Sequence, residues 1–214
     1  MNQLNQLFDC IHYITLPKRT DRREALEKQL NSLHIKAELW TATYGNPWGY
    51  LPNMLVAEAG CLASHYRLLQ HLSTLHIKSA LVLEDDCVFC DRFDLLFYNF
   101  YSRIPDWEMM YLSVNANEPH PTGKRNLKVK PGILRLNYGL TTAAYGVRGS
   151  KIPELIGKIE ENIRNEKRVK PIDVVYAEHH PNLKAYAASP NLITQAPGYS
   201  DVQGCWTDYS SMVK

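Results

Sequence analysis

No stretch of the 214-residue sequence runs to about 18 apolar residues, so no transmembrane helix is expected. Met1 to Asp9 has neither the basic start nor the apolar centre of a secretory signal. Phosphate-binding glycine loops of the GxGxxG and GxxxxGKS/T kinds are missing, which counts against dehydrogenases and P-loop ATPases. There is also no GxSxG elbow and no HExxH helix. Net charge is close to nil: 24 Lys and Arg against 22 Asp and Glu leave +2. A nucleic-acid binder would concentrate far more basic charge on one face. That mild excess is compatible with an acidic glycan or with peripheral contact at a membrane surface.

The five cysteines are an odd number and lie apart, at 10, 61, 87, 90 and 205. Cys87 and Cys90 form the only close pair, with no second pair at zinc-finger spacing. Reduced, mostly buried thiols and a cytoplasmic setting are the expectation. The 45% hydrophobic and 21% charged content fits a folded chain rather than a disordered one. The length fits one domain, with its core over about residues 10–202 and a tail over 203–214.

Apolar periodicity orders the chain as alternating strands and helices. Cys10 to Leu16 reads as a buried strand closed by Pro17, and Thr20 as the cap of a helix carrying Leu26, Leu30 and Leu33. A second strand is expected over 36–42, then an irregular Gly- and Pro-rich loop. Leu55 to Leu75 recurs at steps of three and four and predicts a long buried helix. Ser79 to Leu83 is the next strand, residues 91–101 an aromatic helix, and 109–114 a further strand. The polar, proline-bearing segment 115–131 reads as a loop able to close over a ligand. Strands over 133–138 and 142–147 follow, then a helix capped by Ser150, a short helix opened by Pro171, a strand over 183–187 and a loop-like tail from Pro190. The pattern implies an α/β fold: a mostly parallel sheet with helices on both faces and an added antiparallel part. Ligands of such sheets bind beyond the carboxyl ends of the strands.

Glu84, Asp85 and Asp86 stand at such an end. Three adjacent carboxylates repel, so one tends to hold its proton unless a cation relieves the conflict. Hard divalent cations take oxygen ligands and bridge diphosphates. The same acids could instead cap the next turn. Lys18, Arg19, Arg22 and Arg23 follow the first strand, where they could meet phosphates or form a solvated helix face. Glu58, Cys61 and His65 share one helical face, where a lone histidine is more often a hydrogen-bonded core residue than a ligand or base. His179 and His180 could offer a metal ligand, but a surface helix end is the plainer reading.

The run Tyr13 to Arg23, then Gly60 to His65, then Leu81 to Asp86 resembles glycosyltransferase family 25. The likeness continues through Thr142 to Val147, Pro171-Ile172-Asp173, Pro190-Asn191-Leu192, Gln195 and Ser200-Asp201, spanning about residues 11–202. Family 25 includes bacterial lipooligosaccharide sugar transferases and collagen galactosyltransferases. The resemblance implies a GT-A fold, a UDP-sugar donor, manganese or magnesium, and inversion at the anomeric carbon. On that pattern Asp86 is the metal ligand, with Glu84 and Asp201 as further metal contacts. Arg19, Arg22, Arg23, Glu84, Asp85, Ser64 and His65 would surround the donor, and Asp173 would be the base. The expected activity is transfer of a hexose, galactose or glucose first, to a glycan, lipid-linked saccharide or glycoprotein. A nucleotidylyltransferase is the nearest enzymatic alternative, though its glycine-rich activating loop is missing. A silent sugar-nucleotide or glycan-binding module is the other.

Overall fold

The computed structural model describes residues 2–165, 167–202 and 204–208. A short helix α1 (Leu4–Leu7) leads into β1 (Cys10–Thr15), α2 (Thr20–Ser32) and β2 (Glu38–Thr41). Next come α3 (Val56–Thr74), β3 (Ser79–Glu84), β4 (Cys87–Phe89), α4 (Phe93–Tyr101) and β5 (Met109–Asn115). A hairpin of β6 (Leu127–Lys130) and β7 (Ile133–Arg135) precedes β8 (Leu140–Arg148), α5 (Ile152–Ile163) and α6 (Ile172–His179). The chain closes with β9 (Ala185–Ala188), β10 (Ile193–Gln195), β11 (Gly198–Ser200) and β12 (Cys205–Thr207).

Eight strands form one sheet in the order β2-β1-β3-β8-β5-β9-β7-β6. The pairings β1–β2, β1–β3 and β5–β9 are parallel, and β8 and β7 run against their neighbours. Six of the eight strands therefore share one direction, which is the mostly parallel sheet with an antiparallel part that the periodicity implied. Alternation along β3 sorts its side chains between two cores. Ala80 and Val82 pack with the buried faces of α3, α5 and α6, while Leu81 and Leu83 pack with α1, α2 and α4. Helices thus cover both faces. Leu62, Leu68, Leu69 and Leu72 of α3 are fully buried, each contributing about 1.5–3 kcal/mol. That anchoring holds α3 firmly beside the ends of β1 and β3.

Several local expectations change. Thr20 is the first helical residue rather than the cap; Arg19 holds the cap position and no side chain bonds there. Ser150 lies in a 3₁₀ turn ahead of α5, whose cap is Lys151. The segment read as a closing loop contains β6, which pairs with β7 at the far edge of the sheet. Tertiary pairing there overrides its polar composition. The tail from Pro190 carries three short strands, and β10 pairs with β4 directly beyond the acidic run. Residues 209–214 of the expected tail lie outside the described residues. Before residue 10, Leu4 is fully buried and Asn2 donates to the Leu33 carbonyl at 2.9 Å, so the packed fold starts earlier than the expected core. Among the described residues, no helix is long and apolar enough to cross a membrane.

Candidate active site

The carboxyl ends of β1 and β3, the N-terminal half of α3, the start of β8 and the first turn of α6 enclose a cleft of about 570 Å³. Strand β3 stops at Glu84, and the turn to β4 aims Asp85 and Asp86 at the cleft. Asp85 accepts hydrogen bonds from Thr15 Oγ1 at 2.7 Å and Arg22 at 3.3 Å. Asp86, 7% exposed, accepts from Arg22 at 3.2 Å and from Gln195 Nε2 at 3.3 Å. Glu84 accepts from Thr142 Oγ1 at 2.6 Å and lies 3.3 Å from His65 Nε2.

Burial raises the Asp86 carboxyl to about 7, and the charges of Glu84 and Asp85 add to that rise against the opposing pull of Arg22 and Gln195. Burial also raises Asp85, in spite of Thr15 and Arg22. Burial alone would push Glu84 up, but His65, Thr142 and Arg22 outweigh it and hold Glu84 below the ordinary range. Glu84, Asp85, Asp86 and Asp173 all line the cleft, and Arg22 bridges only two of them. A buried carboxylate that ionises only near neutrality, among oxygen donors with so little countercharge, suits a hard divalent cation. Asp86 is the acid of the run raised furthest, but Glu84, Asp85 and Asp86 do not converge as a three-donor set.

That arrangement has a consequence for pH. A carboxyl whose folded value lies above its unfolded one costs stability as pH rises from about 4 through about 7. A cation binding ionised Asp86 offsets this cost. The gain in melting temperature from added Mn²⁺ is therefore expected to grow between pH 6 and pH 8. A gain that is the same at both, measured by scanning fluorimetry, would contradict it.

The remaining expected residues divide. Arg19 and Arg22 line the cleft, and both reach the Tyr199 carbonyl, at 3.4 and 2.9 Å. Arg23 is not among the lining residues and pairs with Glu27 one turn along α2, at 3.8 Å. Asp201 lines the cleft but does not join the acidic cluster: Lys18 holds Oδ1 at 3.1 Å and Arg19 holds Oδ2 at 3.0 Å. Burial opposes these cations, which nonetheless hold its carboxyl below the usual range. Its charge is compensated by these two cations, and it orients Arg19. Ser64 is buried; its hydroxyl donates to the Gly60 carbonyl at 2.7 Å and accepts from the Thr43 amide at 2.8 Å. Its one proton is committed to fixing the cleft wall. His65 is buried between Glu84 and the Tyr145 hydroxyl, 3.0 Å from Nδ1.

Asp173 stands in the first turn of α6, on the cleft side, and accepts from the amides of Val174 at 2.8 Å and Thr141 at 3.3 Å. A position in the first turn of a helix by itself favours an ionised carboxylate. Burial dominates instead and raises it, with Glu84 adding to the rise against three backbone amides. A carboxylate moved toward neutrality is the better proton acceptor.

The sequence alone assigns no role to Thr15, Thr141, Thr142 and Gln195, although three of them lie in segments that carry the resemblance; they organise the acids. Thr141 sits at φ 80°, a strained value for a β-branched residue, and donates through Oγ1 to Gln195 at 3.2 Å. His179 and His180, expected at a surface helix end, are both buried. His179 meets Glu154 at 2.6 Å and His180 meets the Tyr111 hydroxyl at 2.8 Å, away from the cleft lining. Close packing also shapes the cleft wall. A Cβ on Gly60 would lie 2.8 Å from the Thr43 carbonyl and 3.2 Å from that of Gly45. Gly60→Ala is expected to cost about 1–3 kcal/mol in denaturant unfolding; an unchanged midpoint would show that the Thr43–Gly45 loop yields freely.

Residues 8–130 match the model of glycosyltransferase family 25, described as LPS biosynthesis proteins, and the chain belongs to that family. It is 27% identical to procollagen galactosyltransferase 1-B of Xenopus laevis, over 87% of this chain and 36% of the relative. It is 24% identical to the human protein named inactive glycosyltransferase 25 family member 3, over 86% of this chain and again 36% of the relative. The chain thus spans about a third of the length of these relatives. A solved glycosyltransferase involved in glycosylation of the major capsid of PBCV-1 aligns with 73% of this chain and 67% of its own, at 13% identity and a TM-score of 0.42.

Proposed function

We propose that this chain is a metal-assisted, inverting hexosyltransferase of the GT-A kind. It takes galactose or glucose from a UDP-sugar and delivers it to a glycan, lipid-linked saccharide or glycoprotein. The observation that carries the reading is buried Asp86, set among acids that Arg22 only partly neutralises, at the strand ends of a family 25 chain.

In this reading Asp86 holds Mn²⁺ or Mg²⁺, with Glu84 beside it. The cation, when bound, neutralises charge on the departing diphosphate. Arg22 keeps Asp85 and Asp86 in place, and Arg19, oriented by Asp201, faces the nucleotide. The acceptor hydroxyl oxygen bonds to the anomeric carbon while the bond from that carbon to the β-phosphate oxygen breaks on the opposite face. The hydroxyl proton passes to Asp173. UDP leaves, and the sugar's configuration inverts.

Calorimetric titration with UDP tests the donor half of this account. Binding is expected in Mn²⁺ and lost in excess chelator; equal binding in both would remove the cation from the donor site. A binding module without turnover is the second reading, and the relative named inactive is what keeps it in view. It predicts the same titration but no UDP release from any UDP-sugar.

A further inference from the structure

Cys61 and His65 are four residues apart on α3, one turn, and their side chains project to the same side as the end of β3. There the Cys61 sulfur, a His65 ring nitrogen and a Glu84 oxygen all lie within 4.8 Å of one another. Among the described residues this is the only such convergence of three cysteine, histidine or acidic donors. All three residues line the cleft.

The separation of His65 and Glu84 is informative. A charge-assisted bond between imidazole and carboxylate is normally about 2.7–2.9 Å, but here Nε2 and Oε1 are 3.3 Å apart. The close contact of Oε1 goes to Thr142, at 2.6 Å. Two ligands at about 2.0–2.1 Å from one tetrahedral zinc ion stand about 3.3 Å apart. The other His65 nitrogen is 3.0 Å from the Tyr145 hydroxyl, the outer hydrogen bond that orients a ligating imidazole. Thr142 does the same for the carboxylate. Hydrogen bonds that orient both the imidazole and the carboxylate are therefore already in place.

We infer that Cys61, His65 and Glu84 form a site for a borderline-soft transition-metal ion of the zinc class, distinct from the hard-cation position at Asp86. Thiolate and imidazole select against Mn²⁺ and Mg²⁺, which favour all-oxygen ligands. The two positions share Glu84, so an ion on Cys61 and His65 draws that carboxylate away from the other. The inference rests on the donor geometry and does not depend on the transferase reading.

Cobalt(II) reports the site directly, because ligation by a thiolate gives a thiolate-to-cobalt charge-transfer band. Titration of the reduced, untagged protein with Co²⁺ is expected to produce that band together with tetrahedral d–d absorption. Zn²⁺ should abolish both, and Mn²⁺ should not. Cys61→Ser should remove the charge-transfer band and weaken Zn²⁺ binding by about 10-fold or more. His65→Gln should weaken Zn²⁺ comparably; circular dichroism verifies folding, and Cys61→Ser decides alone if His65→Gln does not fold. Replacing Cys10, Cys90 and Cys205 with serine should leave the spectrum unchanged. No charge-transfer band in the wild-type protein, or a band that survives Cys61→Ser, would overturn the assignment.

Discussion

Asp86→Asn is expected to abolish Mn²⁺-dependent UDP binding and to lower turnover by on the order of 10²–10³-fold, the scale of losing one electrostatic contact to a transition state. Asparagine keeps the shape and can still accept from Arg22 and Gln195. It removes the charge that burial already disfavours and that Glu84 and Asp85 repel. The cation-free variant should therefore be as stable as the wild type at pH 8, or more so, because the replaced group is the one whose ionisation costs stability there. Retained UDP affinity in Mn²⁺ would remove Asp86 from the metal position. A large fall in melting temperature would instead assign Asp86 to holding the turn between β3 and β4.

For Asp173→Asn the expected result is a fall in kcat of about 10²–10⁴-fold, the range for loss of a general base, with UDP and Mn²⁺ binding unchanged. The carboxylate is cleft-facing and buried, and two backbone amides fix its direction. The amides donate to different oxygens, Val174 to Oδ1 and Thr141 to Oδ2, so asparagine keeps the shorter bond from Val174 on its carbonyl oxygen and gives up the longer one from Thr141. What is lost chemically is the capacity to take a proton. A pH–rate profile adds a readout that packing would not mimic: the acid limb of wild-type kcat should disappear from the residual activity of the variant. Near-normal kcat in Asp173→Asn would exclude Asp173 as the base.

Much of the scaffold behind these residues is legible in the sequence, because long periodic segments bury one face. The stripe from Leu55 to Leu75 became α3 within a residue at each end, and Ser79 to Leu83 became a central strand ended by the acids. Short elements were not legible. Strands β10, β11 and β12 have three residues each, too few for a period, and exist because a neighbour supplies the ladder. Without β10, nothing places Gln195 against Asp86. The strand β6 has exposed Leu127 and Val129 and four exposed residues in all, so its pattern does not separate it from loop.

Within the site, charge was easier to read than its compensation. The acidic run is visible as a cluster, but which acid keeps a partner depends on residues far along the chain. That Lys18 and Arg19, more than 180 residues earlier, hold both oxygens of Asp201 cannot be read from its local sequence. Ser64 lines the cleft, and that its hydroxyl ties α3 to Thr43 is likewise not legible in the sequence. The pair His179-His180 has the composition of a helix end, yet half-buried Glu154 and buried Tyr111 provide partners that local sequence cannot reveal. Thr141 and Thr142 are ordinary strand residues by type, and their importance comes from the register that sets them beside Asp173 and Glu84.

The central claim is sugar transfer dependent on a cation in this cleft, and UDP release measures it most directly. Reduced protein with Mn²⁺ would be assayed with UDP-galactose, UDP-glucose and their N-acetyl forms, with and without lipooligosaccharide or collagen-derived acceptor. Release of UDP from at least one donor is expected, raised by acceptor, eliminated by chelator and restored by added Mn²⁺. Release that continues undiminished in excess chelator, or no release from any donor–acceptor pair by protein that binds UDP, would contradict it.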